Sequence, residues 1–463
     1  MIVETVDQIH RNIFRAYDIR GIVGESLTTD IMSSVGKALG TIAFEMGEKR
    51  LAFGRDGRAS SPGLAKALAL GILSTGCDVI DLGMIPTPLL YYATHVLETA
   101  SGVMVTGSHN PAEYNGVKMM LGGETLSENG IQHILNYILK SRFREGEGQL
   151  SELDITERYM VHLERDIKLK RPLKVVVDCG NGVAGCMVPE LYRRLGCDVI
   201  ELFCDVNGQF PNHHPDPSQV ENLQDLIRKV TEVNADVGLA FDGDGDRLGV
   251  VTNRGEIIWP DRQLMLFAKD VLSRHPQAKI IYDVKCSQHL ATLVEACGGV
   301  PIMWKTGHSL IKAKLVETQA ALAGEMSGHI FFRDRWYGFD DAIYAGGRLL
   351  QILSEQSQGS HHLFSDIPNS INTPELKVYV DDAEKFSLMN TIIEKAQFTG
   401  AEQVTIDGLR VNFNDGWGLV RPSNTTPCLI LRFEAENETG LTRIQNIFRD
   451  LLFSVKADLV LPF

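Results

Sequence analysis

The stretch VGLAFDGDGDR, residues 237–247, runs an apolar segment straight into three aspartates at alternate positions, Asp242, Asp244 and Asp246. Its first five residues carry no polar side chain, as expected of a strand buried on both faces. Working outward, residues 173–182 (LKVVVDCGNG) and 197–203 (CDVIELF) precede it as further short strands with helical patterns between them. The same order of three recurs on either side. Upstream it reads 51–58 (LAFGRDGR), 77–83 (CDVIDLG) and 102–106 (GVMVT); downstream it reads 279–287 (KIIYDVKCS), 299–304 (GVPIMW) and 320–323 (AALA). Apolar strands alternating with helices imply largely parallel sheets, so the fold class is α/β: three tandem α/β units with mixed, mainly parallel sheets. From about residue 371 the spacing tightens into strands at 376–380, 403–406, 409–413, 418–421 and 429–433, with a last helix from about Thr439. That pattern predicts a C-terminal antiparallel α+β domain. Residues 354–370 read as a linker. The expected domains are 1–153, 154–256, 257–368 and 369–463.

Ligands of open α/β sheets gather beyond the carboxyl ends of the strands. The segments that follow the third strand of each unit are therefore the places to look for chemistry. They are TGSHNP (106–111), DGDGDR (242–247) and GEMSGH (324–329), three unusual hexapeptides.

The bulk numbers fit such an enzyme. A chain of 463 residues exceeds one core and suggests three or four domains; 44% hydrophobic and 22% charged residues exclude wholesale disorder. A formal net charge of −14 leaves no basic stripe for a nucleic acid, but a small phosphate ester needs only a few well-placed cations. The eight cysteines form no C-x-x-C pair, and His213-His214 is too close for a zinc pair, so reduced thiols in a cytoplasmic protein are expected. MIVETVDQIHRNIFR has no apolar signal region, and no run is long enough to cross a bilayer.

Ser108 offers a nucleophilic oxygen in a glycine turn, with His109 next to it as a proton-transfer group; an ordinary Ser-Asn-Pro turn is the plainer alternative. The aspartate trio is sharper. Carboxylates separated by glycines can converge on one hard cation, and their mutual repulsion asks for one. A calcium EF-hand loop needs Gly at its sixth position and Glu at its twelfth, where this chain has Arg247 and Asn253. Magnesium, with few protein ligands and room for a phosphate oxygen, fits better. Glu325, Ser327 and His329 in GEMSGH could hydrogen-bond sugar hydroxyls and move a proton, or form a plain polar loop. Arg421-Pro-Ser423-Asn424-Thr425-Thr-Pro offers a guanidinium fork and small donors as a phosphate clamp, against a surface turn. RAYDIR (15–20), Lys118, Lys285 and KTGH (305–308) are weaker signals beside strand ends or glycine turns. Residues 180–185 also spell a literal G-x-G-x-x-G after a strand, with Glu201 at the end of the next. A dinucleotide-dependent oxidoreductase is therefore a second possible function, although tight strand-to-helix packing explains those glycines as well. A non-catalytic sugar-phosphate or calcium-binding protein is a third.

With TGSHNP, DGDGDR, GEMSGH and RPSNTTP in that order, one per unit, the chain resembles the α-D-phosphohexomutases from Phe14 to Phe463. Within them, GEMSGH and SNT are similar to the bacterial phosphomannomutase/phosphoglucomutase branch. The resemblance implies four domains around a central cleft and reversible conversion of mannose or glucose 1-phosphate to the 6-phosphate. It implies that Ser108 is a phosphoserine, and that Asp242, Asp244 and Asp246 bind Mg2+ with a phosphoserine oxygen as a further ligand. Glu325 and Ser327 would read the sugar hydroxyls, and Arg421, Ser423, Asn424 and Thr425 would hold the non-reacting phosphate. Tyr17, Arg20, His109, Lys118, Arg247, Lys285, His308 and His329 would line the cleft for binding or proton transfer. Glucose 1,6-bisphosphate would be activator and intermediate, hexose phosphates the partners, and the enzyme a monomer.

Overall fold

The computed structural model describes residues 10–424 and 426–463. Its first three sheets repeat one plan. In the first, Asp78–Met84, Arg50–Arg55 and Gly102–Val105 run parallel in that spatial order, and Tyr114–Leu121 pairs antiparallel with the third. The second repeats it with Asp198–Leu202, Lys174–Asp178 and Val237–Phe241, followed by antiparallel Leu248–Thr252. The third has Val300–Trp304, Lys279–Asp283 and Leu322–Gly324, followed by antiparallel Ile330–Phe332. The parallel strands lie where the sequence predicts them. The sheets are mixed and mainly parallel, as expected; the position of the antiparallel strand, directly after the third parallel one, was not read from the sequence, and it changes the meaning of the three hexapeptides. They are turns between a parallel and an antiparallel strand, pinned at both ends, rather than openings into helices.

The last unit is a six-stranded antiparallel sheet (371–435) with helix Glu438–Val455 packed on it. That helix starts at Asn437, whose side chain accepts the N–H of Gly440 at 2.9 Å and caps it. Residues 354–370 are not an open linker. Helix Ser360–Ser365 docks on the second unit through Ser360 Oγ to the Asp236 carbonyl (2.6 Å) and the His361 N–H to Asn253 Oδ1 (2.8 Å). Six residues are too few to display a helical period in sequence.

Apolar packing joins the units unequally. One continuous core includes Tyr92 and Met104 from the first, Tyr159 and Phe241 from the second, and Phe332, Trp336 and Tyr344 from the third. The fourth has its own core around Val378, Phe433 and Phe448. It meets the third through a small apolar patch, Trp417 and Leu419 against Val284 and Met303, and through polar groups. Arg410 lies flat over the Trp417 ring (3.8 Å) and donates to the carbonyls of Val284 (2.6 Å) and Cys286 (2.7 Å).

Candidate active site

The serine turn (106–111), the aspartate turn (242–247) and the 324–329 turn meet where the first three sheets face one another. Ser108 takes a left-handed backbone conformation (φ 48°), which a non-glycine residue adopts only when its surroundings impose it. Here they do. Its N–H donates to Thr106 Oγ1 (2.8 Å), and its carbonyl accepts from Arg58 (2.8 Å). The Arg58 guanidinium, itself buried, also holds the carbonyls of Asn110, Pro111 and Tyr114 at 2.5–3.1 Å. Gly243 has to be glycine because a Cβ there would stand 2.3 Å from the Ser108 carbonyl oxygen. The result is a buried Ser108 hydroxyl 3.1 Å from Asp242 Oδ2 and 3.2 Å from His109 Nδ1.

Asp242, Asp244 and Asp246 are fully buried, and one oxygen from each lies within 4.8 Å of the others. Each is held differently. Asp242 Oδ1 accepts the N–H groups of Gly245, Asp246 and Arg247 at 3.0–3.2 Å, leaving Oδ2 to face Ser108. Asp244 Oδ2 accepts from Thr87 Oγ1 (2.6 Å) and Lys118 Nζ (2.7 Å); Asp246 Oδ2 pairs with the same ammonium. The other oxygens, Asp244 Oδ1 and Asp246 Oδ1, are buried with no hydrogen-bond partner. Unpaired buried carboxylate oxygens are costly, and a divalent cation is the group that would satisfy them. The electrostatics agree. Burial, then Asp246 and Asp244, pushes the Asp242 carboxyl well up; for Asp244 burial works the same way, but Lys118 overcomes it and holds the carboxyl down. Burial, Arg247 and Arg20 keep His109 neutral, its pKa well below the ordinary range.

Next to this cluster, Arg247 Nε donates to His329 Nε2 (3.1 Å), and His329 Nδ1 lies 3.1 Å from Asp340 and 3.5 Å from Asp246. The 324–329 turn lies beside it. Glu325 is buried, one of its oxygens accepting the N–H of Gly307 and the other the Ser327 hydroxyl (3.4 Å). Burial raises the Glu325 carboxyl, partly offset by His329.

A second cluster spans three units. Tyr17 donates to the Thr306 carbonyl (2.7 Å), accepts from Asn424 Nδ2 and meets the His308 ring edge-on at 6.3 Å. Asp407 accepts from the Thr306 N–H and Arg421 Nε, both at 3.0 Å. Lys285 pairs with Glu375 (2.6 Å), and Ser423 shares a hydrogen bond with Thr426 (2.7 Å). Arg20 stands apart from this set, donating to Asn110 (2.5 Å) and pairing with Asp18. Thr425 lies outside the described residues.

Sequence reasoning missed Arg58, Thr87, Lys312, Asp340 and Asp407. Arg58 sat in a quoted strand end, LAFGRDGR, where a buried arginine in a polar turn was a usable signal. The others lie in unremarkable contexts. The glycine-rich stretch 180–185 turns out to serve packing. A Cβ on Gly182 would lie 2.9 Å from Gly243, and the Val183 N–H, which a pyrophosphate would need, already donates to the Gly243 carbonyl (3.1 Å). It buttresses the aspartate turn.

A buried serine presented to a trio of under-satisfied carboxylates is an arrangement suited to phosphoryl transfer. Four family profiles match the chain in order: phosphoglucomutase/phosphomannomutase alpha/beta/alpha domain I at residues 11–145, domain II at 157–255, domain III at 259–370 and the C-terminal domain at 375–451. The chain belongs to the phosphoglucomutase/phosphomannomutase family, and its activity is that of a hexose-phosphate mutase, an intramolecular phosphotransferase. It is 55% identical to a phosphomannomutase/phosphoglucomutase of Pseudomonas aeruginosa over 98% of both chains. It is 52% identical to a phosphoglucomutase of Neisseria meningitidis, covering 96% of this chain and 98% of that one. Among solved structures, a phosphoglucomutase/phosphomannomutase family protein of Burkholderia thailandensis superposes with a TM-score of 0.94 at 52% identity, covering 98% of this chain and all of that one. No helix among the described residues is long and apolar enough to cross a membrane.

Proposed function

We propose that Ser108 is phosphorylated at rest and exchanges that group with glucose or mannose phosphates through a 1,6-bisphosphate that turns over in the cleft. The observation that carries this is the 3.1 Å approach of Ser108 Oγ to Asp242 at the edge of the under-satisfied carboxylate trio. Asp242, Asp244 and Asp246 would hold Mg2+. When bound, that ion supplies positive charge beside the transferred group and lowers the cost of charge developing there.

The 6-hydroxyl of a hexose 1-phosphate attacks phosphorus, the P–Oγ bond breaks and a P–O6 bond forms. The hydroxyl proton passes to a cleft base, and Ser108 Oγ takes a proton, with His109 Nδ1 3.2 Å away. The bisphosphate then reorients; Ser108 Oγ gives up its proton and forms Oγ–P as the O1–P bond breaks, O1 takes the proton held by the cleft base, and the 6-phosphate leaves. Arg247 and Lys118 neutralise the transferred group. Glu325 and Ser327 read the sugar hydroxyls, while Arg421, Ser423, Asn424, Thr425 and Lys285 hold whichever phosphate is not reacting. Tyr17, Arg20, His308 and His329 complete the wall. Segment 369–463 serves as the clamp over units 1–153, 154–256 and 257–368. All eight cysteines are free thiols, in keeping with a cytoplasmic enzyme, which we take to act as a monomer.

The test is a coupled assay with glucose 1-phosphate, Mg2+ and a trace of glucose 1,6-bisphosphate, joined to intact-mass measurement. Glucose 6-phosphate should form, and the protein should carry one extra phosphoryl mass. Both should vanish in Ser108→Ala. Turnover by Ser108→Ala at the wild-type rate would overturn the covalent route.

A further inference from the structure

Behind the cleft lies a buried ion pair to which the proposed reaction assigns no task. Lys312 Nζ sits 2.8 Å from Asp340 Oδ1, and Asp340 is wholly buried. An ammonium has three N–H groups, and here each meets an acceptor: Asp340, His308 Nδ1 at 3.3 Å, and the face of the Tyr91 ring at 3.9 Å. Asp340 turns its second oxygen towards two imidazoles, 3.1 Å from His329 Nδ1 and 3.6 Å from His308 Nδ1. The two rings stack at 5.4 Å with 28° between their planes.

These contacts decide where the ring protons are. An arginine Nε–H can only donate, so His329 Nε2, which meets Arg247 Nε at 3.1 Å, is an acceptor with a lone pair. The ring proton of His329 is then on Nδ1, where the Asp340 carboxylate at 3.1 Å is nearer than Asp246 at 3.5 Å; the attraction is one of charge, since neither Nδ1 nor Asp340 Oδ2 makes an aligned hydrogen bond. For His308 the logic inverts. Lys312 also can only donate, so His308 Nδ1 is the acceptor and its proton is on Nε2. That nitrogen makes no hydrogen bond to any described residue. The grouping of Asp246, His329 and Asp340, spaced closely enough to suggest a metal site, is accounted for by the same argument, because a protonated Nδ1 cannot bind a cation.

We infer that Lys312 and Asp340 are positioning residues that set opposite tautomers in the two stacked histidines, giving the cleft one imidazole that accepts a proton at Nε2 (His329) and one that donates at Nε2 (His308). This rests on the proposed mutase site, since the pair acts through the histidines and touches no substrate. It gives that site a division of labour. His329 is equipped to take a proton from a sugar hydroxyl once Arg247 turns to the phosphate, and His308 is equipped to hydrogen-bond a substrate oxygen without taking a proton.

Nitrogen-15 spectra of the histidine rings in the Mg2+-loaded wild-type enzyme test the assignment without reference to turnover. His329 should show a protonated, pyrrole-type Nδ1 and a pyridine-type Nε2, and His308 the reverse. The same tautomer in both rings, or the two assignments exchanged, would overturn the inference, whatever the coupled assay reports. In Lys312→Met the His308 proton should move to Nδ1 to pair with Asp340, and a His308 spectrum unchanged in the folded variant would also overturn it. Asp340→Asn should lower kcat about a hundredfold, the low end for a disabled proton-transfer group, with KM changed by less than about threefold. A loss confined to KM would count against it. If Asp340→Asn does not fold, the wild-type spectra alone decide.

Discussion

At the scale of single residues, two adjacent aspartates illustrate what placement does to a side chain. Asp340 faces Lys312 and two imidazoles; burial works against its charge, but Lys312 and the histidines hold its carboxyl well below the usual range. Asp341 points the other way, into an apolar joint, and burial pushes its carboxyl up to about 7. Nothing in the string FDDA separates them, so neither role was legible before the fold was known. Ser108 and the aspartate trio were legible, because their spacing is itself the chemistry: glycines between carboxylates, and a serine in a turn after a buried strand. Arg58 carries a prediction at this scale. Its guanidinium is the tie that bends the serine turn, and removing it would leave four backbone carbonyls and Asp56 without their partner. Arg58→Met is expected to cost about 3–5 kcal/mol in urea unfolding, as for other broken buried charge networks. Arg58→Lys should recover only part of that, since an ammonium cannot span the fork. Gly182→Val should abolish turnover by displacing Gly243 and should confer or remove no NAD binding; detectable NAD binding by the wild type would contradict its packing role.

At the scale of elements, the parallel strands could be read because a strand buried on both faces is an unbroken apolar run. That same property concealed the antiparallel fourth strands. LGVVT, 248–252, is as apolar as the strand it follows, and IFF, 330–332, is too short to carry a period. Helix Ala342–Ser354 depends on Asp341 at its start, which accepts the Tyr344 N–H (2.9 Å), the Tyr159 hydroxyl (2.9 Å) and Trp336 Nε1 (3.0 Å). This cap joins the second and third α/β units, so its titration reaches stability. The folded carboxyl titrates near 7, while an unfolded aspartate titrates near 3.8. Between those values the native state holds the extra proton, so this residue favours folding at the acid end and its contribution is lost as pH rises towards 7. Asp341→Asn removes that dependence. Its stability relative to wild type is therefore expected to improve between pH 5 and pH 8, as read from urea midpoints at each pH. A relative stability that falls over that range would show that the three donors, rather than burial, control the group.

At the scale of the whole molecule, the unequal cores separate a rigid part from a movable one. The first three units share one large apolar core, while the fourth has its own and is tied to the third by the smaller Val284–Trp417–Leu419 patch, Arg410 on two carbonyls and the Arg432–Asp261 pair, and to the first by Tyr17 and Asn424. The reaction proposed above needs both states of such a joint. The clamp must hold one phosphate during transfer and yield while the bisphosphate turns, yet the intermediate must not leave. Tyr17 is where those demands meet, because one hydroxyl bonds Thr306 of the third unit and Asn424 of the fourth. Tyr17→Phe keeps the ring against His308 and deletes both bonds. Only the bond to Asn424 ties the fourth unit, and losing one hydrogen bond worth about 1 kcal/mol should shift the clamp towards open forms by about fivefold. Small-angle scattering should then give a larger radius of gyration for the variant than for the wild type. In turnover, the bisphosphate should escape more often before its second transfer, leaving Ser108 unphosphorylated. The variant should thus lose activity in the coupled assay and regain it when glucose 1,6-bisphosphate is supplied in excess. A rate equally depressed at all bisphosphate concentrations, with an unchanged radius, would instead mean that the Tyr17 hydroxyl acts on the substrate directly and that retention of the intermediate depends on other contacts.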